Sequence, residues 1–238
     1  MRSMTVVMSV VLCAPAVLAG DQVSIDEHGR RAAGSAELVT AEAPGQAVRG
    51  DGWAALGPFG GDVQTVAASP TALSVVLCGV APAGSSGGSL FRSTDGGQSW
   101  SEVADLAGIS VYDAEFLPNG DAFVGAINGV WFSSDDGAGW SRFDMGIGLN
   151  QQVFDVEIDP ADSSVIWVGV ADALGSQAAN VMKSTNGGLA WSDVTPPMSP
   201  MSARSIVVSP GNNDNVVVAF GGGFGGGAVW VTDNGGAS

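Results

Sequence analysis

From Trp53 onward the apolar residues come in short runs broken by polar, glycine-rich stretches, and the runs recur in a fixed order. A first run ends in proline each time: "VQTVAASP" at Pro70, "VYDAEFLP" at Pro118, "VFDVEIDP" at Pro160 and "ARSIVVSP" at Pro210. After a polar turn such as "NGD" or "GNNDN" a second run follows, "LSVVLCGV", "AFVGAI", "VIWVGVA" or "VVVAFGG". A third run, "GSLFRS", "GVWFSS", "NVMKS" or "AVWVT", enters an Asp/Gly-rich turn, and "SWSEV", "GWSRF" or "AWSDV" leaves it. Short apolar runs bounded by turn residues predict β-strands. Four strands to a unit, repeated, predict an all-β chain, a β-propeller of four-stranded antiparallel blades. About four blades are present, spanning residues 62–106, 109–145, 152–195 and 203–238, the last incomplete.

The turn between third and fourth strands sets the repeat. It reads "STDGGQSW" from Ser93 to Trp100, then "SSDDGAGW" from Ser133, "STNGGLAW" from Ser184 and "TDNGGAS" from Thr232, with starts 40, 51 and 48 residues apart. A chain reversing within so few residues needs positive φ, which Gly96 and Gly97 adopt without steric cost. Asp95 can accept the turn's own N–H groups, Ser93 and Ser99 can bond across the hairpin mouth, and Trp100 adds apolar area to a small sheet. Every member has a structural task, so the pattern requires no chemistry.

These residues resemble the Asp-box, or BNR-repeat, family of β-propellers. Ser93, Asp95, Gly97, Ser99 and Trp100 match its pattern in full. The second copy keeps Ser133, Asp135, Gly137 and Trp140, the third Ser184, Gly188 and Trp191 with Asn186 for the acid, and the fourth Thr232, Asn234 and Gly236. The lead-in "WAALGPFGGDVQTVAASP" looks like the first blade of propellers related to sortilin-type ectodomains and xyloglucanase-type endoglucanases. The resemblance covers residues 53–238 and implies that the Asp boxes lie on the rim, away from an axial site. Because such propellers close with more blades, the expectation is an incomplete chain.

Composition narrows the class. The chain of 238 residues carries 24 acidic and 8 basic residues, a net charge of −16, and such a surface repels nucleic-acid backbones and anionic lipid. The opening "MRSMTVVMSVVLCAPAVLAGDQ" reads as a secretory signal, residues 1–19, and residues 20–51 as a flexible leader. The predicted destination is secreted, periplasmic or cell-surface, with no membrane insertion after cleavage. Only Cys78 remains beyond the signal, inside a strand, where it acts as a small hydrophobe.

First strands line the channel of a propeller, so their residues are the binding candidates. Counting back from each proline aligns Gln64, Tyr112, Phe154 and Arg204 and, one step later, Thr65, Asp113, Asp155 and Ser205. In a strand of period two only one of these sets faces the neighbouring blade. A sialidase needs three convergent arginines, and beyond the leader only Arg92, Arg142 and Arg204 occur. A propeller glycosidase needs two carboxylates across a cleft, for which Asp113 and Asp155, with Glu115 and Glu157, are the weak candidates present. Otherwise these acids are solvated strand residues. No His/Cys cluster or phosphate loop appears, so no metal or cofactor is expected. The sequence therefore points to a non-catalytic binding or scaffold module for an extracellular protein or glycan, with a glycoside hydrolase fragment as the alternative.

Overall fold

The computed structural model describes residues 56–58, 61–82, 87–143, 145, 151–172, 180–197, 202–221 and 227–237, with four short paired segments between Ser24 and Ala54. The chain divides into two compact units, Met1–Ala55 and Leu56–Ser238. In the first, Ser24–Ile25 pairs with Arg31–Ala32 and Arg49–Gly50 with Trp53–Ala54. The expected signal, 1–19, lies outside the described residues, as does most of the expected leader.

The second unit is a row of four antiparallel sheets. The first contains Val63–Ala68, Val76–Val80, Ser89–Ser93 and Ser101–Glu102 in that order. The second contains Val111–Phe116, Ala122–Ala126, Gly129–Ser133 and Ser141–Arg142. The third contains Gln151–Ile158, Ile166–Asp172, Asn180–Ser184 and Ser192–Asp193. The fourth has three described strands, Ser202–Val208, Val216–Gly221 and Ala228–Thr232. The only described helix is one 3-10 turn, Ala104–Leu106. Each sheet is a propeller blade. Its strands are short and rich in β-branched residues, and in the second and third sheets the second strand is buried on both faces, which suits a sheet packed between two others.

The core follows from that stacking, because each apolar cluster fills the gap between two neighbouring blades. Leu77, Leu90, Val111 and Val124 join the first to the second. Phe123, Val153, Ile166 and Val168 join the second to the third, and Trp167, Ile206, Val216 and Val218 join the third to the fourth. The first strands of successive blades run alongside one another, and the row is open.

Register fixes which loops share an end. The start of each first strand pairs with the end of the second, as Val63 with Val80, Val111 with Ala126, Gln151 with Asp172 and Ser202 with Gly221. First-strand starts and second-to-third-strand connections therefore lie at one end of the blades. The turns after the third strands lie at the other, tied to the first turn of their own blade: Gly96, Gly187 and Gly235 donate N–H to Ser74, Ser164 and Asp214 carbonyls, each at 2.8 Å.

Candidate functional site

At the loop end, each first strand carries one extra residue. The ladder shifts between Val63 and Thr65, between Val111 and Asp113, between Val153 and Asp155, and between Ala203 and Ser205. The residues left over are Gln64, Tyr112, Phe154 and Arg204, the four aligned by counting back from proline. A bulge sets two residues against one partner and re-aims their side chains. The partner is Gly79, Gly125 or Gly169 in the first three blades and Ala219 in the fourth. A Cβ on Gly125 would lie 2.8 Å from the Val153 carbonyl oxygen, and one on Gly169 would lie 2.9 Å from that of Ala203. Glycine thus admits the next blade's first strand.

Three of the four bulge residues meet. The Tyr112 and Phe154 rings lie 4.8 Å apart, tilted at 46°, and the Arg204 guanidinium sits 3.9 Å over the Phe154 ring. The two rings are half-buried and Arg204 is exposed. Gln64 turns back on its own blade, its Nε2 donating to the Asp62 and Ala81 carbonyls at 3.3 Å. The connections at 81–88 and 171–180 belong to this same end, although 83–86 and 173–179 lie outside the described residues.

The second register also reaches the next blade, contrary to the expectation that only one could. Asp113 Oδ2 accepts the Val156 N–H at 2.9 Å, and its Oδ1 accepts the Thr65 hydroxyl at 3.3 Å. Asp155 Oδ2 accepts the Ile206 N–H at 2.7 Å. The bulge is the reason, because it breaks the alternation on which that expectation rested. Two positions on, Glu115 accepts the Ile158 N–H at 2.9 Å and Glu157 the Val208 N–H at 3.0 Å. The four acids are therefore not solvated strand residues: each fastens the first strand of its own blade to the backbone of the next. Ser205 is exposed.

Burial dominates the electrostatics of these acids. Loss of water pushes Glu115 up to about 8, aided by the neighbouring Glu157, Asp113 and Asp155, against the pull of the Ile158 N–H. It pushes Asp155 up to about 7, with Asp113 adding to the rise. Asp113 and Glu157 are raised for the same first cause. Chemically the arrangement is a set of hydrogen-bond acceptors joining blades, with each carboxyl oriented by a main-chain amide.

The four turns that begin at Ser93, Ser133, Ser184 and Thr232 repeat one geometry. Ser93, Ser133, Ser184 and Thr232 accept the N–H of Gly97, Gly137, Gly188 and Gly236 at 2.8, 3.0, 2.9 and 3.2 Å. Their hydroxyls donate to Asp95, Asp135, Asn186 and Asn234 at 2.8, 2.7, 3.0 and 2.6 Å. Asp95 also accepts the Ser99 N–H at 2.8 Å, and these turn bonds, led by the Ser99 hydroxyl, bring its carboxyl down to about 2. Trp140 is buried and donates to the Gly137 carbonyl at 3.0 Å, while Nε1 of Trp100 and of Trp191 is buried without a described partner.

One residue that sequence reasoning passed over is Asp136, with φ of 55° where other boxes have Gly96, Gly187 and Gly235. Its carboxylate accepts the Ser69 and Thr71 hydroxyls at 2.7 and 2.8 Å, tying the turn of the second blade to the first blade. The doubled acid in "SSDDG" was the available signal. A cavity of about 230 Å³ lies at the outer hairpins, lined by residues including Arg92, Ser99, Glu102 and Ala138, and contains none of the first-strand candidates. Among the described residues no group of three or more His, Cys, Asp or Glu could hold a metal ion, and no helix is long and apolar enough to cross a membrane.

Against known structures the architecture is matched by other propellers. An ancestral GH74 enzyme is similar with a TM-score of 0.60 and 22% identity, over 76% of this chain and 24% of that one. The GH74 xyloglucanase of Xanthomonas campestris is similar with a TM-score of 0.58 and 15% identity, over 76% and 30%. The extracellular domain of a one-component system from B. thetaiotaomicron is similar with a TM-score of 0.53 and 13% identity, over 71% and 20%. The chain spans less than a third of these proteins, and likeness at such identity shows the fold, a β-propeller. No protein-family model and no curated protein matches the sequence.

Proposed function

We propose that this chain is an exported, non-catalytic Asp-box propeller module that binds an extracellular protein or glycan at the loop end of its blades. The observation that carries this reading is the row Tyr112–Phe154–Arg204, which bulges in three successive blades bring together at that end. A row of half-buried rings capped by an exposed cation is a recognition surface, since aromatic and Arg side chains supply most of the energy where proteins meet ligands. Asp113 and Asp155, the best acids for glycoside chemistry, hold neighbouring backbone amides. The N-terminal signal pattern supports a secreted, periplasmic or cell-surface location, and the net charge of −16 argues against nucleic-acid partners.

The second reading is a portion of a larger propeller glycoside hydrolase, favoured by the fold likeness to GH74 enzymes. A panel of plant and bacterial glycans assayed with the purified chain for both turnover and binding separates the two. Binding without turnover is expected, reduced by changes at Phe154 or Arg204. Turnover lost in Asp113→Asn or Asp155→Asn, with folding intact, would establish the hydrolase reading instead.

A further inference from the structure

The second unit has four described cations, Arg92, Arg142, Lys183 and Arg204, and three of them are engaged by main-chain carbonyls. Arg92 Nε donates to Asp136 at 2.8 Å, Arg142 Nη1 to Asn128 at 3.0 Å and Lys183 Nζ to Gly235 at 2.8 Å. Arg204 differs. It is exposed, its guanidinium carbon lies 3.9 Å from the centre of the Phe154 ring, and among the described residues it donates no hydrogen bond. A guanidinium that donates no bond within the fold keeps its N–H groups for a ligand, in the fork geometry that fits a carboxylate.

On the binding role proposed above, we infer that Tyr112, Phe154 and Arg204 form a subsite for a sugar ring bearing one carboxylate, a uronic acid at the end of an otherwise neutral glycan. The two half-buried rings, 4.8 Å apart and tilted at 46°, are the apolar neighbours of that cation, and aromatic surface beside a cation suits the C–H groups of a sugar ring better than the short stem of an acidic peptide side chain. The carboxylate then pairs with Arg204. A single charge is specified by the rest of the molecule: at net −16 the chain repels a polyanion, whereas one carboxylate feels only charges within a Debye length of about 8 Å.

Methyl β-D-glucuronide and methyl β-D-glucoside differ only in the carboxylate, and both can be titrated into the full chain by NMR at millimolar concentration. The glucuronide should bind roughly tenfold more tightly, the size of one charge-assisted hydrogen-bonded pair. Arg204→Met should abolish that preference by weakening the glucuronide more than the glucoside, while Phe154→Ala weakens both. Equal affinity for the two sugars, or a preference that survives Arg204→Met, overturns the subsite. A blocked Gly-Glu-Gly peptide binding as tightly as the glucuronide overturns the assignment to a sugar. If neither sugar binds, the subsite is wrong; the binding role itself fails only if the glycan panel and a pull-down of extracellular proteins are also blank.

Discussion

Asp95 and Glu115 each accept a main-chain N–H, Asp95 from Ser99 at 2.8 Å and Glu115 from Ile158 at 2.9 Å, yet their acidities move in opposite directions. Asp95, in an exposed turn at the rim, falls to about 2, because its turn bonds favour the anion and water still reaches it. Glu115, between two blades, rises to about 8, because losing water costs the anion more than one amide returns. The lesson is that a hydrogen bond does not by itself identify a stabilising charge. At Ser93–Trp100 the carboxylate belongs to a local turn and helps hold it as an anion. At the blade seam the acceptor oxygen is what the fold uses, and the negative charge is a liability.

The largest effect should come from the seam's backbone contact. Gly169 lies against Ala203 of the next blade, so Gly169→Val should cost about 3 kcal/mol by overpacking in urea unfolding. Gly96 at the rim has open space within 4 Å of where a methyl group would sit but a φ of 73°, so Gly96→Ala should cost about 1 kcal/mol, from backbone strain alone. Equal losses would mean that the seam yields as readily as the turn, and the close approach of blades would no longer account for the glycines.

Next in size is the seam acceptor. Glu115→Ala leaves the Ile158 N–H without its acceptor and should cost about 1–3 kcal/mol at pH 5. Glu115→Gln keeps a carbonyl oxygen there and removes the charge, so at pH 9 it should be more stable than the parent chain. A Gln variant weaker than the parent at pH 9 would show that the anion, and not the acceptor, supports the seam.

The same contrast predicts the pH profile. Glu115 and Asp155 have folded values of about 8 and about 7, above their ordinary 4.5 and 3.8, so the folded state holds the proton more tightly than the unfolded one. Their contribution is complete below those ordinary values and is lost as pH rises through the folded ones. Asp95 runs the other way: its contribution is present above 3.8 and is lost as pH falls through about 2. Thermal midpoints should therefore be highest near pH 4 to 5, fall toward pH 8.5, and fall again toward pH 2. A midpoint rising from pH 5 to pH 8.5 would contradict the burial argument for the seam.

The blades were legible because their signals are local. Turn chemistry in "STDGGQSW" and the strands closed by Pro70, Pro118, Pro160 and Pro210 place the strands without knowledge of neighbours. The loop-end row was half legible: alignment from proline found Gln64, Tyr112, Phe154 and Arg204, but period two was applied through a bulge that inserts one residue. The recurrent Gly79, Gly125 and Gly169 in the second strands carried that information, since glycine inside a strand marks a bulge or a close backbone approach. The role of Asp113-x-Glu115 and Asp155-x-Glu157 was not legible. Their partners are amides of Val156, Ile158, Ile206 and Val208 in the next blade, and a backbone donor leaves no mark on residue identity.

The smallest effect should be at the turn that holds Asp95, where the chain already contains the comparison. Asn186 accepts the Ser184 hydroxyl at 3.0 Å and the Ala190 N–H at 2.8 Å, the same bonds that Asp95 makes to Ser93 and Ser99. One oxygen therefore suffices for the turn, and the negative charge of Asp95 adds the Ser99 hydroxyl at 2.5 Å on its second oxygen and strengthens the bonds from the Ser99 N–H and the Ser93 hydroxyl. Asp95→Asn should lower the thermal midpoint slightly at pH 7, less than Glu115→Ala lowers it at pH 5, and should flatten the acid limb of the profile between pH 4 and pH 2. Asp95→Ala, which leaves the Ser99 N–H to water, should lower the midpoint further at pH 7. If Asn and Ala proved equal there, the retained oxygen would be contributing nothing, and the turn would rest on its glycines and on Ser93 instead.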